Sequence, residues 1–240
     1  MARFYLPPTS WLPHATLDDE ESRHCAQVLR LDKGDTITVF DGRGRSASAT
    51  IEQVRKHAVT LTIGEITTHP SRIPEITLVQ AIPKGKTMEW IVEKAVELGV
   101  QRIIPLITRN TVVKYDAADA PKKAEKWQRV AIEACKQCGQ NWLPEVTNPI
   151  EWSQWLKNDH SGVNIIASLA KGATSFRELL EKHPQLEQAS LLVGPEGDFT
   201  PQEMQQALEL GYQPITLGDI VLRTETASLF CLAALRYQYL

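Results

Sequence analysis

Residues Leu191–Met204, LLVGPEGDFTPQEM, carry a short apolar run into a turn with two glycines and then into a helix start. Leu191–Val193 reads as a strand buried on both faces. Thr200 fits an N-cap, Pro201 the first helical position and Glu203 the third, which completes a capping box. The helix therefore begins after the turn, and Gly194–Gly197 hangs between strand and helix. In an open parallel sheet that is the edge where ligands bind. A phosphate cradle sets glycine amides directly on a helix N-terminus and adds Lys or Arg, whereas this turn offers Glu196 and Asp198, which repel phosphate. Gly194 and Gly197 permit close backbone approach, and Glu196 suits hydroxyls, an amine or a positive charge. The turn alone leaves two readings open: a carboxylate that faces a ligand, or a tight turn whose glutamate faces solvent.

The same rhythm extends outward. ITLVQA (76–81), RIIPLI (102–107), VNIIASL (163–169), SLLVG (190–194) and PITLG (214–218) are short β-branched or Leu-rich runs. Between them lie helical patterns: Met88, Ile91, Val92 and Ala95 share one face and Gly99 fits a helix C-terminus, and Trp127, Val130, Ala131 and Ala134 repeat the spacing. Alternating strands and helices predict an α/β fold with a mainly parallel sheet. The chain before residue 73 differs. RFYL (3–6), DTITVF (35–40), RSASATIEQV (45–54) and HAVTLTIGEI (57–66) are short strands around one helix in DDEESRHCAQVLR (18–30), and they predict a small antiparallel β-barrel. TTHPSRIPE (67–75) reads as the linker, dividing the chain into 1–72 and 73–240.

Composition narrows the function classes. A chain of 240 residues with 42% hydrophobic and 23% charged residues is an ordinary globular protein, and a net charge of −3 excludes a uniformly basic nucleic-acid binder, so any RNA site is regional. No apolar run reaches a membrane span and the N-terminus lacks a signal-peptide pattern, which predicts a cytoplasmic protein. The cysteines Cys25, Cys135, Cys138 and Cys231 are expected to be thiols. Cys135-x-x-Cys138 has no second pair, the histidines show no ligand spacing, and Glu89, Glu93 and Glu97 alternate with Lys86 and Lys94 as a solvated helix face; no metal is expected.

Two further loops end strands. In PITLGDIVLRTETASLFCLAAL (214–235), Thr224 is expected to cap a helix with Ala227, Phe230, Ala234 and Tyr237 on its apolar face. Arg223, Thr224, Glu225 and Thr226 crowd that start, either as capping with a surface Arg–Glu pair or as a charged site. Ser168, Lys171 and Gly172 end another strand. Arg3, Arg23, Arg30, Arg43 and Arg45 punctuate the N-terminal region, either as scattered charge or as a face for RNA backbone with Phe4 or Tyr5 for stacking.

Taken with VLRLDKGD (28–35), VFDGRG (39–44), AIPKGKTMEWIVEKAVELGV (81–100) and RVAIEACKQCGQNWLPEV (129–146), the segments LLVGPEGDFTPQE (191–203) and LGDIVLRTETA (217–227) resemble the RsmE-type methyltransferases of the SPOUT superfamily. The resemblance implies S-adenosylmethionine-dependent methylation of N3 of a uridine in 16S ribosomal RNA. It implies a PUA-like RNA-binding barrel over 1–72, a SPOUT domain with a trefoil knot over 73–240, and a homodimer acting on the small ribosomal subunit. By carry-over, Leu169, Gly194, Glu196, Gly197, Leu217, Gly218, Leu222 and Thr226 bind the cofactor, Arg223 and Glu225 are catalytic, and Arg3, Arg23, Arg30 and Arg43 meet RNA. Methylation of another RNA position, or RNA binding without catalysis, are the alternatives. The chain departs from the family pattern at Asp198, at Asp219-Ile220 and at Gln140.

Overall fold

The computed structural model describes residues 1–55, 57–112, 117–169 and 172–239. Its contacts divide the chain into two units, Met1–Ser71 with Ile132–Leu143, and Arg72–Ala131 with Pro144–Leu240.

The first unit holds β1 (Arg3–Tyr5), β2 (His14–Thr16), α1 (Asp19–Arg23), β3 (Thr36–Phe40), β4 (Arg45–Arg55) and β5 (Ala58–Thr68). They form one sheet in the order β1-β3-β4-β5-β2. Alternation with period two places Ile37 and Val39 of β3, and Ala47, Ala49 and Ile51 of β4, in a core shared with Phe4, Leu6 and Leu61. The antiparallel expectation holds for β2 through β5, but β1 runs parallel to β3. A parallel neighbour cannot follow a tight hairpin, and here the chain crosses β2 and α1 before returning. A π turn, His24–Val28, prolongs α1. Trp142 closes one side: its indole N–H donates to the carbonyls of His69 (3.1 Å) and Pro70 (3.0 Å). A Cβ at Gly44 would lie 2.5 Å from the Trp142 ring, so only glycine fits there.

The second unit is a parallel sheet flanked by helices. Its strands are β6 (Glu75–Ala81), β7 (Arg102–Ile107), β8 (Glu145–Val146), β9 (Ile150–Glu151), β10 (Val163–Ala167), β11 (Thr174–Ser175), β12 (Gln188–Val193) and β13 (Gln213–Thr216). The order is β11-β13-β10-β12-β6-β7-β8, with β9 also on β7, and every pairing is parallel. Its helices are α2 (Thr87–Glu97), the part of α3 (Ala120–Cys138) up to Ala131, α4 (Trp152–Trp155), α5 (Phe176–Lys182), α6 (Pro201–Glu209) and α7 (Thr224–Gln238); the rest of α3 belongs to the first unit. α2 buries Met88, Ile91, Val92 and Ala95 and packs against α7. Ile104, Ile166 and Leu192 meet Trp152, Trp155, Phe199 and Tyr212 in a second core. The two-residue strands β8, β9 and β11 were not foreseen, being too short to show a period.

The start of α7 corrects an expectation. Arg223, not Thr224, is the N-cap, and its side chain makes no capping bond. The buried stripe is Thr224, Ala227, Ser228, Cys231, Leu232 and Leu235, whereas Phe230 and Tyr237 are 49% and 82% exposed. Two hydroxyls on the buried face made it look polar, and the exposed aromatics drew the stripe to the wrong side. Among the described residues no helix is long and apolar enough to cross a membrane.

Candidate functional site

Three strand ends of the second unit surround a cavity of about 420 Å³. Ser168 and Leu169 follow β10, Gly194–Glu196 and Asp198 follow β12, and Leu217–Arg223 follow β13. This is the carboxyl edge of the parallel sheet, where the strand ends splay and leave room for a ligand.

The wall after β12 is the most constrained. The Asp198 amide donates to the Pro195 carbonyl (2.9 Å), closing a turn in which Asp198 takes φ 55°. Asp198 Oδ1 accepts from the Phe199 amide (2.8 Å), and Asn110 Nδ2 donates to the carbonyls of Gly197 and Asp198, both at 2.9 Å. A Cβ at Gly194 would sit 3.0 Å from Asp198 Oδ1 and 3.2 Å from the Phe199 ring, so a larger residue there must push the Asp198 carboxylate and the ring back by a few tenths of an ångström. Beyond the turn, Thr200 caps α6 with the expected capping box, and Glu203 accepts from the Thr200 amide (2.8 Å) and from the Arg109 amide (2.9 Å). Glu196 is exposed; its Oε1 accepts from the Lys84 amide (3.0 Å), while Oε2 has no partner among the described residues.

The wall after β13 is looser. The Gly218 amide donates to Thr216 Oγ1 (3.3 Å), and that hydroxyl donates to the Gly218 carbonyl (3.2 Å). Ile220 and Val221 are 74% and 70% exposed at the rim. Arg223 follows, exposed; its carbonyl accepts from the Ala227 amide (2.8 Å), but its guanidinium has no hydrogen bond or ion pair among the described residues, so a surface pair with Glu225 is absent. Beneath it, Thr224 Oγ1 donates to the Gly194 carbonyl (2.6 Å) and accepts from Gln80 Nε2 (3.0 Å).

Of the residues carried over by resemblance, Leu169, Gly194, Glu196, Leu217, Gly218, Leu222 and Arg223 line the cavity. Gly197, Glu225 and Thr226 do not: Gly197 faces Asn110, and Glu225 and Thr226 lie in the first turn of α7. Lys171 lies outside the described residues. Asp219, Val221 and Thr224 also line the cavity and neighbour the motif residues in the chain, whereas the link to Gln80 spans 144 positions and left no signal in the sequence. Asp198 owes its place to backbone conformation: the left-handed region admits glycine, and Asp more readily than most other residues.

In the first unit the five arginines singled out in the sequence divide. Arg3 donates to Asn141 Oδ1 (2.8 Å) and the Gln140 carbonyl (3.3 Å) and lies over the Phe40 ring, and burial lowers its pKa. Arg23 pairs with Asp19 (2.7 Å), and Arg45 with Asp41 (2.6 Å) while stacking on Trp11. Arg30 and Arg43 are exposed, with no side-chain partner among the described residues. All four cysteines are free, and burial pushes the Cys135 and Cys231 thiols up to about 12, which keeps them protonated. Among the described residues no cluster of His, Cys, Asp or Glu could hold a metal.

Comparison with known proteins agrees with this geometry. The RNA methyltransferase domain family matches residues 69–236, and the RNA methyltransferase PUA domain family matches residues 17–64. Ribosomal RNA small subunit methyltransferase E of Bacillus subtilis (strain 168) is 32% identical over 94% of this chain and 91% of its own. The crystal structure of ribosomal RNA small subunit methyltransferase E from Neisseria gonorrhoeae bound to S-adenosyl methionine has a TM-score of 0.89 at 36% identity, covering 100% of this chain and 98% of that one. A putative methyltransferase from Legionella pneumophila, in complex with the bound cofactor SAM, has a TM-score of 0.91 at 34% identity, covering 99% and 97%. On these matches, the chain belongs to the RNA methyltransferase family that includes the ribosomal RNA small subunit methyltransferases E.

Proposed function

We propose that the protein transfers a methyl group from S-adenosylmethionine to N3 of a uridine in 16S ribosomal RNA. The observation that carries this reading is the free arginine, Arg223, at the rim of a cavity whose turn presents a carboxylate rather than a phosphate cradle. The cavity fits the cofactor: about 420 Å³ lies within the usual range of small-molecule sites, and Glu196 keeps one oxygen for a hydroxyl or amine. When bound, S-adenosylmethionine supplies an electrophilic methyl on a cationic sulfur. Backbone groups of Gly194, Leu217 and Gly218 can approach it closely, and Leu169, Leu217 and Leu222 keep water from the reacting atoms. Arg223 stabilises the negative charge that develops on the uracil as its N3 proton leaves. Glu225, two residues on and outside the cavity lining, would have to turn toward the bound base to accept that proton or toward Arg223 to order the guanidinium.

Arg223→Ala is expected to lower the single-turnover rate on small-subunit RNA by about a hundredfold, the scale for losing one preorganised charge-stabilising group, with cofactor affinity nearly unchanged. A wild-type rate would remove Arg223 from the mechanism. Mass mapping of the methylated RNA tests the position: a methyl on a ribose hydroxyl or another base replaces the uridine-N3 assignment.

The N-terminal region, residues 1–72, is proposed to hold the RNA, and residues 73–240 to carry the knotted SPOUT fold. Arg30 and Arg43 have unengaged guanidiniums for phosphate, and Arg23 and Arg3 are available only by exchanging present partners. The homodimer belongs to the same reading, supported by the apolar surface that Ile220, Val221, Phe230 and Tyr237 leave exposed. Light scattering giving a monomer mass would overturn it. A ribosomal substrate sets the reaction in the cytoplasm.

A further inference from the structure

Beneath the cavity, Gln80, Thr224 and Ser228 are 0%, 6% and 0% exposed, and none is among the residues carried over by resemblance. Their hydrogen bonds have a forced direction. The Gly194 carbonyl can only accept, so the single hydroxyl proton of Thr224 goes to it, at 2.6 Å. The Thr224 oxygen must then accept from Gln80, and the amide turns its NH₂ that way, at 3.0 Å. The second Nε2 proton goes to the Ala81 carbonyl (2.9 Å), and Oε1 is left to accept from the Ser228 hydroxyl. Every donor of the Gln80 amide is used, which fixes its orientation.

This chain of bonds joins three elements. Gln80 is the penultimate residue of β6, Gly194 begins the turn after β12, and Thr224 is the first residue of α7, directly after Arg223. We propose that Gln80 is a positioning residue for methyl transfer: through Thr224 it locks the start of α7, and with it Arg223, onto the turn that walls the cofactor cavity. The inference rests on the placement of Arg223 at the reactive edge. An alternative helix start would leave the Gly194 carbonyl and one N–H of the Gln80 amide buried without partners, and that penalty holds the arginine in one place.

The test compares Gln80→Glu, Thr224→Val, Thr224→Ser and Arg223→Ala in the full-length protein. It reads cofactor affinity by calorimetry, single-turnover methylation of small-subunit RNA at saturating cofactor, and thermal melting. A carboxylate cannot donate to Thr224, and valine keeps the shape of threonine without the hydroxyl. Both changes are expected to lower the saturating rate by about tenfold or more, as a misplaced group does, at temperatures where the variants are folded. Thr224→Ser, which keeps the hydroxyl, is expected to stay within about twofold, and cofactor affinity is expected to change less than the rate. Adding Thr224→Val to Arg223→Ala should then cost little more. Wild-type rates in Gln80→Glu and Thr224→Val, with only their melting temperatures lowered, overturn the proposal, as does an equal rate loss with or without Arg223. A wild-type rate in Arg223→Ala beside losses in the other two overturns the arginine assignment instead and supports the hold on the Gly194 turn.

Discussion

Asp198 shows how a single residue answers to backbone conformation before chemistry. At φ 55° it occupies the left-handed region, where a Cβ costs about 1–2 kcal/mol and glycine or Asp is favoured. Glycine and Asp both satisfy this constraint. Its carboxylate also accepts from the Phe199 amide, which keeps the turn closed. Asp198→Gly is expected to melt near the wild-type temperature, since relief of strain offsets the lost bond. Asp198→Val is expected to lose about 2 kcal/mol or more in denaturant unfolding and to weaken cofactor binding, because the turn walls the cavity. Equal midpoints for the two variants would show that φ does not decide this position.

At the scale of elements, α6 illustrates a sequence signature that also does long-range work. Thr200, Pro201 and Glu203 are legible as a helix start from their spacing alone. Their second role is not: the Glu203 carboxylate, 6% exposed, accepts from the Thr200 amide and hydroxyl and also from the Arg109 amide, 94 positions away. Thr200→Ala is expected to cost about 1 kcal/mol, the usual worth of a cap. Glu203→Ala should cost more, by roughly a further 1 kcal/mol, because it removes the Arg109 amide's partner as well as the capping bonds. Urea midpoints of the two variants check the order, and Thr200→Ala as the worse of the two would contradict it. α7 makes the opposite case. Its apolar periodicity pointed to Phe230 and Tyr237, yet Thr224 and Ser228 are the buried residues, because Gln80 satisfies their hydroxyls. Hydrophobic spacing cannot register a polar residue whose partner lies on another strand.

On the scale of the whole chain, the return of Ile132–Leu143 to the first unit is the feature furthest from local reading. Lys136 fastens that return. Its ammonium donates to both oxygens of Glu21 (3.0 Å each) and to Glu133 (2.9 Å), lies 3.2 Å from His24 Nδ1, and sits over the Phe4 ring. Burial pushes the Glu21 carboxyl up to about 7, against the pull of Lys136, and Glu133 and Asp18 add to the rise. The folded value is above the ordinary one of 4.5, so between the two the folded state keeps a proton that the unfolded state has lost. The Glu21 contribution to stability therefore falls as pH rises through that window. Glu21→Gln is expected to flatten the decline in melting temperature between pH 5 and pH 7.5 (about the span of the two values). Lys136→Met should cost roughly 3–5 kcal/mol at pH 8 and less at pH 5, where Glu21 is protonated. A loss independent of pH would rule out this account. What the sequence by itself determined was local: the strand and helix rhythm, the capping box of α6, the glycine turn after β12 and the arginine before α7, each set by periods and residue preferences within a few positions. Only the tertiary structure decided that β1 runs parallel to β3, that Ile132–Leu143 packs with the first unit, and that Gln80 steers Thr224 toward Gly194. Those depend on hydrogen-bond direction and buried charge between residues far apart in the chain, and neither leaves a periodic trace in the sequence.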